Sequence, residues 1–199
     1  MALTTNTELK AAVADWINRS DLTTQIVDFI SIAEARMARA VKTNELHTTT
    51  TLTIDAQTEA LPADFAGMVF MRIQGNQFPS LDYMPSDTFW SRYASNEVGR
   101  PIAYTIQGNS IYFMPSPDAT YTADYTYVAK PDIATDATNR MLTVHPDLYL
   151  FGALSEANSF INDDAGFAKY EGKFLNAVDS INSSDVYKGA LSMQLENVV

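Results

Sequence analysis

The chain has 199 residues, no cysteine, and 24 acidic against 13 basic side chains, for a formal net charge of −11. The missing cysteine removes disulfides, thiolate metal sites and thiol nucleophiles together, and the acidic surplus opposes any grip on a phosphate backbone. With 46% hydrophobic residues the chain can bury a core unaided, whereas no segment approaches the run of about twenty apolar residues that a membrane span needs.

Two helices are expected first. Thr5-x-x-Glu8 reads as a capping box, and Leu9, Val13, Trp16 and Ile17 follow on one helical face. This start has neither the basic opening nor the apolar run of a signal peptide. Asn18-Arg-Ser-Asp21 breaks the pattern, and a second helix is expected to about residue 42, with Ile26, Ile30, Ala33, Met37 and Ala40 as its stripe. Asp28, Glu34, Arg36 and Arg39 fall on its other faces and are expected to be solvated or to face another subunit.

The spacing then changes to period two. Residues 48–54 alternate as a half-buried threonine-rich strand, 68–73 form another, and Gln74-Gly-Asn-Gln77 is expected to reverse the chain into a hairpin. A short helix is expected over 86–94. A hairpin over 102–106 and 111–114 turns at Gly108 and Asn109. In the strand after it, Tyr121, Ala123, Tyr125 and Tyr127 share a packed side and Thr122, Asp124 and Thr126 a wet one.

Helical spacing returns after Asn139. Pro146 suits a first turn, Leu150, Leu154, Ala157 and Ile161 line one face, and Asn162-Asp-Asp164 ends the helix and caps the next. That last helix, 165–182, carries Phe167, Phe174, Val178 and Ile181, with Gly166 and Gly172 each costing about 1 kcal/mol relative to alanine. The expected fold class is therefore α+β. N- and C-terminal helices (1–45 and 136–183) form a bundle, a β-rich sandwich or barrel-like region (46–135) is inserted into it, and a tail covers 184–199.

Chemistry is sparse. Neither a phosphate-cradling glycine loop nor a GxSxG elbow occurs. The two histidines, His47 and His145, each sit at an element start and are read as local backbone partners. Asp132, Asp136, Asp163 and Asp164 match no EF-hand spacing, and the last two read as helix caps. Tyr104, Tyr112, Tyr121, Tyr125 and Tyr127 suggest a stacking platform or, without basic neighbours, a sheet core or protein interface. Arg36 and Arg39, one turn apart, either pair with Glu34 and face solvent or bridge to an acidic neighbouring subunit; they are the candidate subunit interface. Apolar Val186, Tyr187, Leu191, Met193 and Leu195 in an uncommitted tail dock on their own domain or on a partner.

Six strings, in this order, carry a resemblance over residues 8–182. They are Trp16-Ile-Asn-Arg-Ser-Asp-Leu22, Ile32-Ala-Glu-Ala-Arg36, Leu61-Pro-Ala-Asp-Phe65, Gly99-Arg-Pro101 with Tyr104, Phe113-Met-Pro-Ser-Pro117 and Leu142-Thr-Val-His-Pro-Asp-Leu-Tyr149. Together they resemble the head-to-tail adaptors of short-tailed bacteriophages, the tail tubular protein A type. The resemblance implies a twelve-membered ring beneath the capsid portal, extending the DNA channel and carrying the tail nozzle and fibres. It implies a virion tail protein, assembled in the host cytoplasm, with no catalytic step, no cofactor and no sequence-specific hold on DNA. The five tail residues are then the candidate portal contact. The alternatives are a cell-wall-degrading enzyme and a carbohydrate-binding tail module.

Overall fold

The structure, a computed structural model, describes residues 3–75, 80–92, 97–133 and 138–196, with backbone alone beyond residue 184. Its described residues form an α+β fold of six α-helices and two sheets, divided into two compact units. One comprises Met1–Leu46 and Lys130–Val199; the other is His47–Ala129.

In the first unit, α1 (Asn6–Ile17) starts at the expected capping box. Thr5 Oγ1 accepts from the Glu8 amide at 3.3 Å, and Glu8 Oε2 accepts from the Thr5 amide at 3.1 Å. The helix stops where Asn18 takes a left-handed conformation, φ 51°. Next comes α2 (Thr23–Ala40), buried along Ile26, Ile30, Ala33 and Met37 as the spacing requires. Asn139 caps the short α4 (Arg140–Val144), and Pro146 then opens α5 (Pro146–Phe160). Leu148, Leu150, Ala153, Leu154 and Ala157 of α5 are all buried, as suits a helix packed by α1, α2 and α6 (Asp164–Glu196) on several sides.

Asp163 joins α5 to α6 as a cap, its Oδ1 accepting from the Gly166 amide at 3.0 Å, after Asn162 turns the chain at φ 58°. The last helix does not end near residue 182; it runs unbroken for 33 residues to Glu196, taking in most of the segment expected to be an uncommitted tail. Of its expected stripe, Phe174, Val178 and Ile181 are buried. Phe167, in the first turn of α6, is exposed.

The second unit holds an antiparallel sheet, β1-β7-β3, built from β1 (His47–Ile54), β3 (Phe65–Ile73) and β7 (Tyr121–Ala129). The second sheet has the order β2-β6-β5-β4, from β2 (Thr58–Ala60), β4 (Asp82–Tyr83), β5 (Ala103–Gln107) and β6 (Ser110–Met114); α3 (Ser86–Arg92) follows β4. One core joins residues of both sheets, including Ile54, Met71, Ala123, Tyr125 and Tyr127 from the first and Tyr104, Ile111 and Phe113 from the second. The barrel alternative is not realised. Both sheets stay open, and strands of three and two residues at the rims of the second are too short to bridge to the first.

The β5–β6 hairpin lies where the sequence places it, with Gly108 at φ 61°. The turn expected after Ile73 lies partly outside the described residues, and among the described residues β3 and β4 share no ladder. β4 pairs in parallel with β5 instead, and Leu81 gives β3 a single backbone bond, to the Met71 carbonyl at 2.9 Å. β1 is less buried than its alternation suggests, since Thr48 and Thr50 are exposed and only Ile54 is buried.

Candidate functional site

Arg36 leaves α2 one residue before the buried Met37 and meets two glutamates from other helices. Its Nη1 lies 2.7 Å from Glu156 Oε1 of α5, and its Nη2 lies 2.6 and 2.7 Å from the two Glu171 oxygens of α6. Ser155 Oγ donates to Glu171 at 2.7 Å, and the guanidinium carbon sits 4.6 Å from the Phe174 ring centroid. Burial alone would lower the guanidinium pKa, but hydrogen bonds to Glu171 and Glu156 hold it raised. Burial likewise pushes Glu171 up, and the bonds from Arg36 and Ser155 outweigh it and hold its pKa low. The candidate partner Glu34, two residues away, takes no part: Arg36 pairs across 120 and 135 residues of sequence, which no local pattern reveals. Arg39 is exposed on α2.

Glu34, expected on a solvated face, is buried. Its Oε1 accepts from the Ile133 amide at 2.7 Å and from the Tyr149 hydroxyl at 3.0 Å. Asn139 Nδ2 donates to the same hydroxyl at 2.6 Å, and Asn6 Nδ2 donates to the Ile133 carbonyl at 3.2 Å. Burial pushes the Glu34 pKa up to about 7; the Ile133 and Tyr149 bonds pull it back and the Asp132 charge adds to the rise. Burial and the Glu34 charge also raise the Tyr149 hydroxyl. Two helices, α1 through Asn6 and α2 through Glu34, thus hold the backbone of one connector residue, Ile133, whose own side chain is buried, and Tyr149 of α5 joins them through Glu34.

His145 finds a carboxylate rather than a backbone group, its Nε2 lying 3.0 Å from Glu45 Oε2. Tyr125 and Tyr127 stack at 5.5 Å inside the sheet core, and the Tyr127 hydroxyl donates to Asp64, so these two rings offer no open platform. Among the described residues no group of three or more His, Asp or Glu is placed to hold a metal ion. The side chains of Val186, Tyr187, Leu191, Met193 and Leu195 lie outside the described residues.

Surface aromatics are the remaining feature. Trp16, expected in the helical stripe, is 51% exposed at the end of α1; its ring lies 6.4 Å from Phe151 and 6.2 Å from Tyr170. Lys169 and Lys173 of α6 place their ammonium groups over these rings, at 5.0 Å from Tyr170 and 4.9 Å from Phe151. On α2, Val27 and Ile32 are 41% and 47% exposed beside Asp28.

Exposed aromatic and aliphatic side chains thus lie on the same unit as the paired Arg36 and the buried Glu34. The chain belongs to the SU10 adaptor protein family, whose profile matches residues 4–194. The family is one of phage head-to-tail adaptors, so the chain is a structural bacteriophage protein of the head-to-tail connection and a virion tail component. No curated protein matches it.

Proposed function

We propose that the chain is the adaptor subunit that joins the capsid portal to the tail nozzle of a short-tailed phage, as one member of a twelve-membered ring around the DNA channel. The observation that carries this reading is the span of the family match, residues 4–194, which takes in both compact units rather than one. In this arrangement the terminal helices form the bundle that meets its neighbours, and the β-rich excursion over 46–135 is its insert. Residues 186–195, continued from α6, reach toward the portal; the nozzle and fibres take other surfaces. Arg39 serves the subunit contact, while Arg36 acts one step behind it by holding α2 to α5 and α6.

Charge supports a channel role. A ring of subunits each carrying −11 repels phosphate and favours passage of DNA over adhesion, with no base read. The work is architectural, with no catalytic step, and the absence of cysteine suits assembly in a reducing host cytoplasm. Electron microscopy of the purified protein with and without its portal is the test. A ring on the tail-facing end of the portal is the expected result; mature particles with no density for it at the genome-exit vertex overturn the reading. Release of soluble fragments from peptidoglycan, abolished by Asp→Asn changes in a folded protein, would put an enzyme in its place.

A further inference from the structure

An open sheet edge is a template for another strand, and folded chains ordinarily blunt theirs. Three of the four edge strands among the described residues are blunted. β2 and β4 are three and two residues long, too short to act as templates. β3 shifts register twice along β7, carries Arg72, and gives its Met71 carbonyl to the Leu81 amide.

β1 has none of these devices. It pairs with β7 over eight residues without a shift, and residues 48–54 contain no charge, proline or glycine. Among the described residues its outer rim has no backbone partner. Thr48, Thr49, Thr50 and Thr51 are all exposed, so this half of the strand is uncovered on both faces. On the packed face Thr48 and Thr50 stand opposite the buried Tyr127 and Tyr125 of β7, so the cover over that face stops short of its rim.

A row of free peptide groups is matched by an extended strand, and the side chains beside it decide which one. Here the row of threonines is its own complement. Its neutrality lets like meet like in a chain of net charge −11, and β1 already makes the required pair on its other side, where the Thr49 and Thr126 hydroxyls lie 2.9 Å apart.

We infer that β1 pairs antiparallel with β1 of a second copy of this chain, about a two-fold axis at Thr51. Such an axis stands across the sheet and keeps the packed faces of both copies on one side. On the wet face Thr51 then meets Thr51 and Thr49 meets Thr53; on the packed face Thr50 meets the half-buried Leu52. The two three-stranded sheets become one of six strands, an ordinary size. An isologous contact closes after two copies and cannot build a ring, so this pairing belongs to the subunit before it enters one. It goes beyond the adaptor reading and lies wholly within His47–Ala129.

Charge exchange at the axis is the test. T51K and T51E each set like charges against one another, whereas an equimolar mixture sets lysine against glutamate. By sedimentation equilibrium the wild type should exchange between monomer and dimer, each variant alone should dimerise roughly tenfold more weakly or worse, and the mixture should recover the wild-type dimer. Recovery also shows that both variants fold. The same changes at Thr122, exposed on the central strand β7, should leave dimerisation unaltered. A wild type that stays monomeric overturns the inference and leaves the rim to a strand of some other protein. A dimer that T51K leaves intact, or variants that stay monomeric when mixed, also overturn it. None of these results touches the ring on the portal, which microscopy tests separately.

Discussion

Glu34 Oε1 and the amide nitrogen of Ile133 lie 2.7 Å apart although 99 residues separate them in sequence. A helix interior and a connector are thereby fixed to one another through a carboxylate that burial makes reluctant to ionise. Its folded pKa, about 7, is above the ordinary 4.5, so the fold favours the protonated form. The stability this site contributes is full below about pH 4.5 and is lost as pH rises through about 7. Relative to Glu34→Gln, the wild type should lose up to about 3 kcal/mol between pH 4.5 and pH 8. Urea unfolding of both proteins across that range measures it, and parallel profiles would remove Glu34 as the cause.

Arg36 neutralises two glutamates that would otherwise face each other in a partly dry site. Arg36→Met is expected to destabilise by about 3 kcal/mol, because it strands two carboxylates. Lysine at 36 should recover only part of this, since a single ammonium cannot reproduce the guanidinium fork to Glu156 and Glu171. The triple change R36M/E156Q/E171Q should unfold later than R36M alone in chemical denaturation. An unchanged midpoint for Arg36→Met would show that the network is not structural.

The glycines of α6 and α5 separate into required and optional. A Cβ on Gly166 would fall on the side chains of Asn158 and Asp163, and one on Gly152 would lie 3.0 Å from Ala33 Cβ and 3.2 Å from the Phe174 ring. Gly172 has nothing within 4 Å of that position. Gly172→Ala should therefore raise stability by about 0.5–1 kcal/mol, whereas Gly166→Ala should lower it, as read from thermal unfolding. A stabilising alanine at 166 would contradict the packing around the α5–α6 turn.

Truncation should depend sharply on where it falls. Asn182 Oδ1 accepts from the Lys42 amide at 2.7 Å, and its Nδ2 donates to the Ala40 carbonyl at 3.1 Å, so this side chain closes the end of α2. A chain stopped after Ser184 should keep its thermal midpoint and lose affinity for the portal. One stopped before Ile181 should also lose about 1 kcal/mol or more of stability, since it removes the buried Ile181 as well as this cap. Portal binding by the first truncation at full strength would remove the tail as the portal contact.

Local signals were readable from sequence wherever one short segment decides the structure. The Thr5–Glu8 box, the Gly108 turn, the Asp163 cap and the alternation from Tyr121 to Tyr127 each need only their neighbours, and each appears where expected. What was missed depends on partners far along the chain. The burial of Glu34 requires Ile133 and Tyr149, and the engagement of Arg36 requires Glu156 and Glu171, none of which helical spacing can supply. The length of α6 was missed for a different reason: residues 183–196 contain no proline, and a weak apolar period is a poor guide to where a helix ends. Trp16 shows the limit in the other direction, since an apolar residue at the right spacing need not be inside.

The clasp formed by Asn182 also has a mechanical meaning. It is made to the last turn of α2, a few residues before the backbone departs into His47–Ala129, and lies just ahead of the segment assigned to the portal. Replacing Asn182 with alanine is therefore expected to fray residues 40–42, the stretch from which the chain leaves for the second unit, while the packing of α6 on α5 holds the rest of that helix in place.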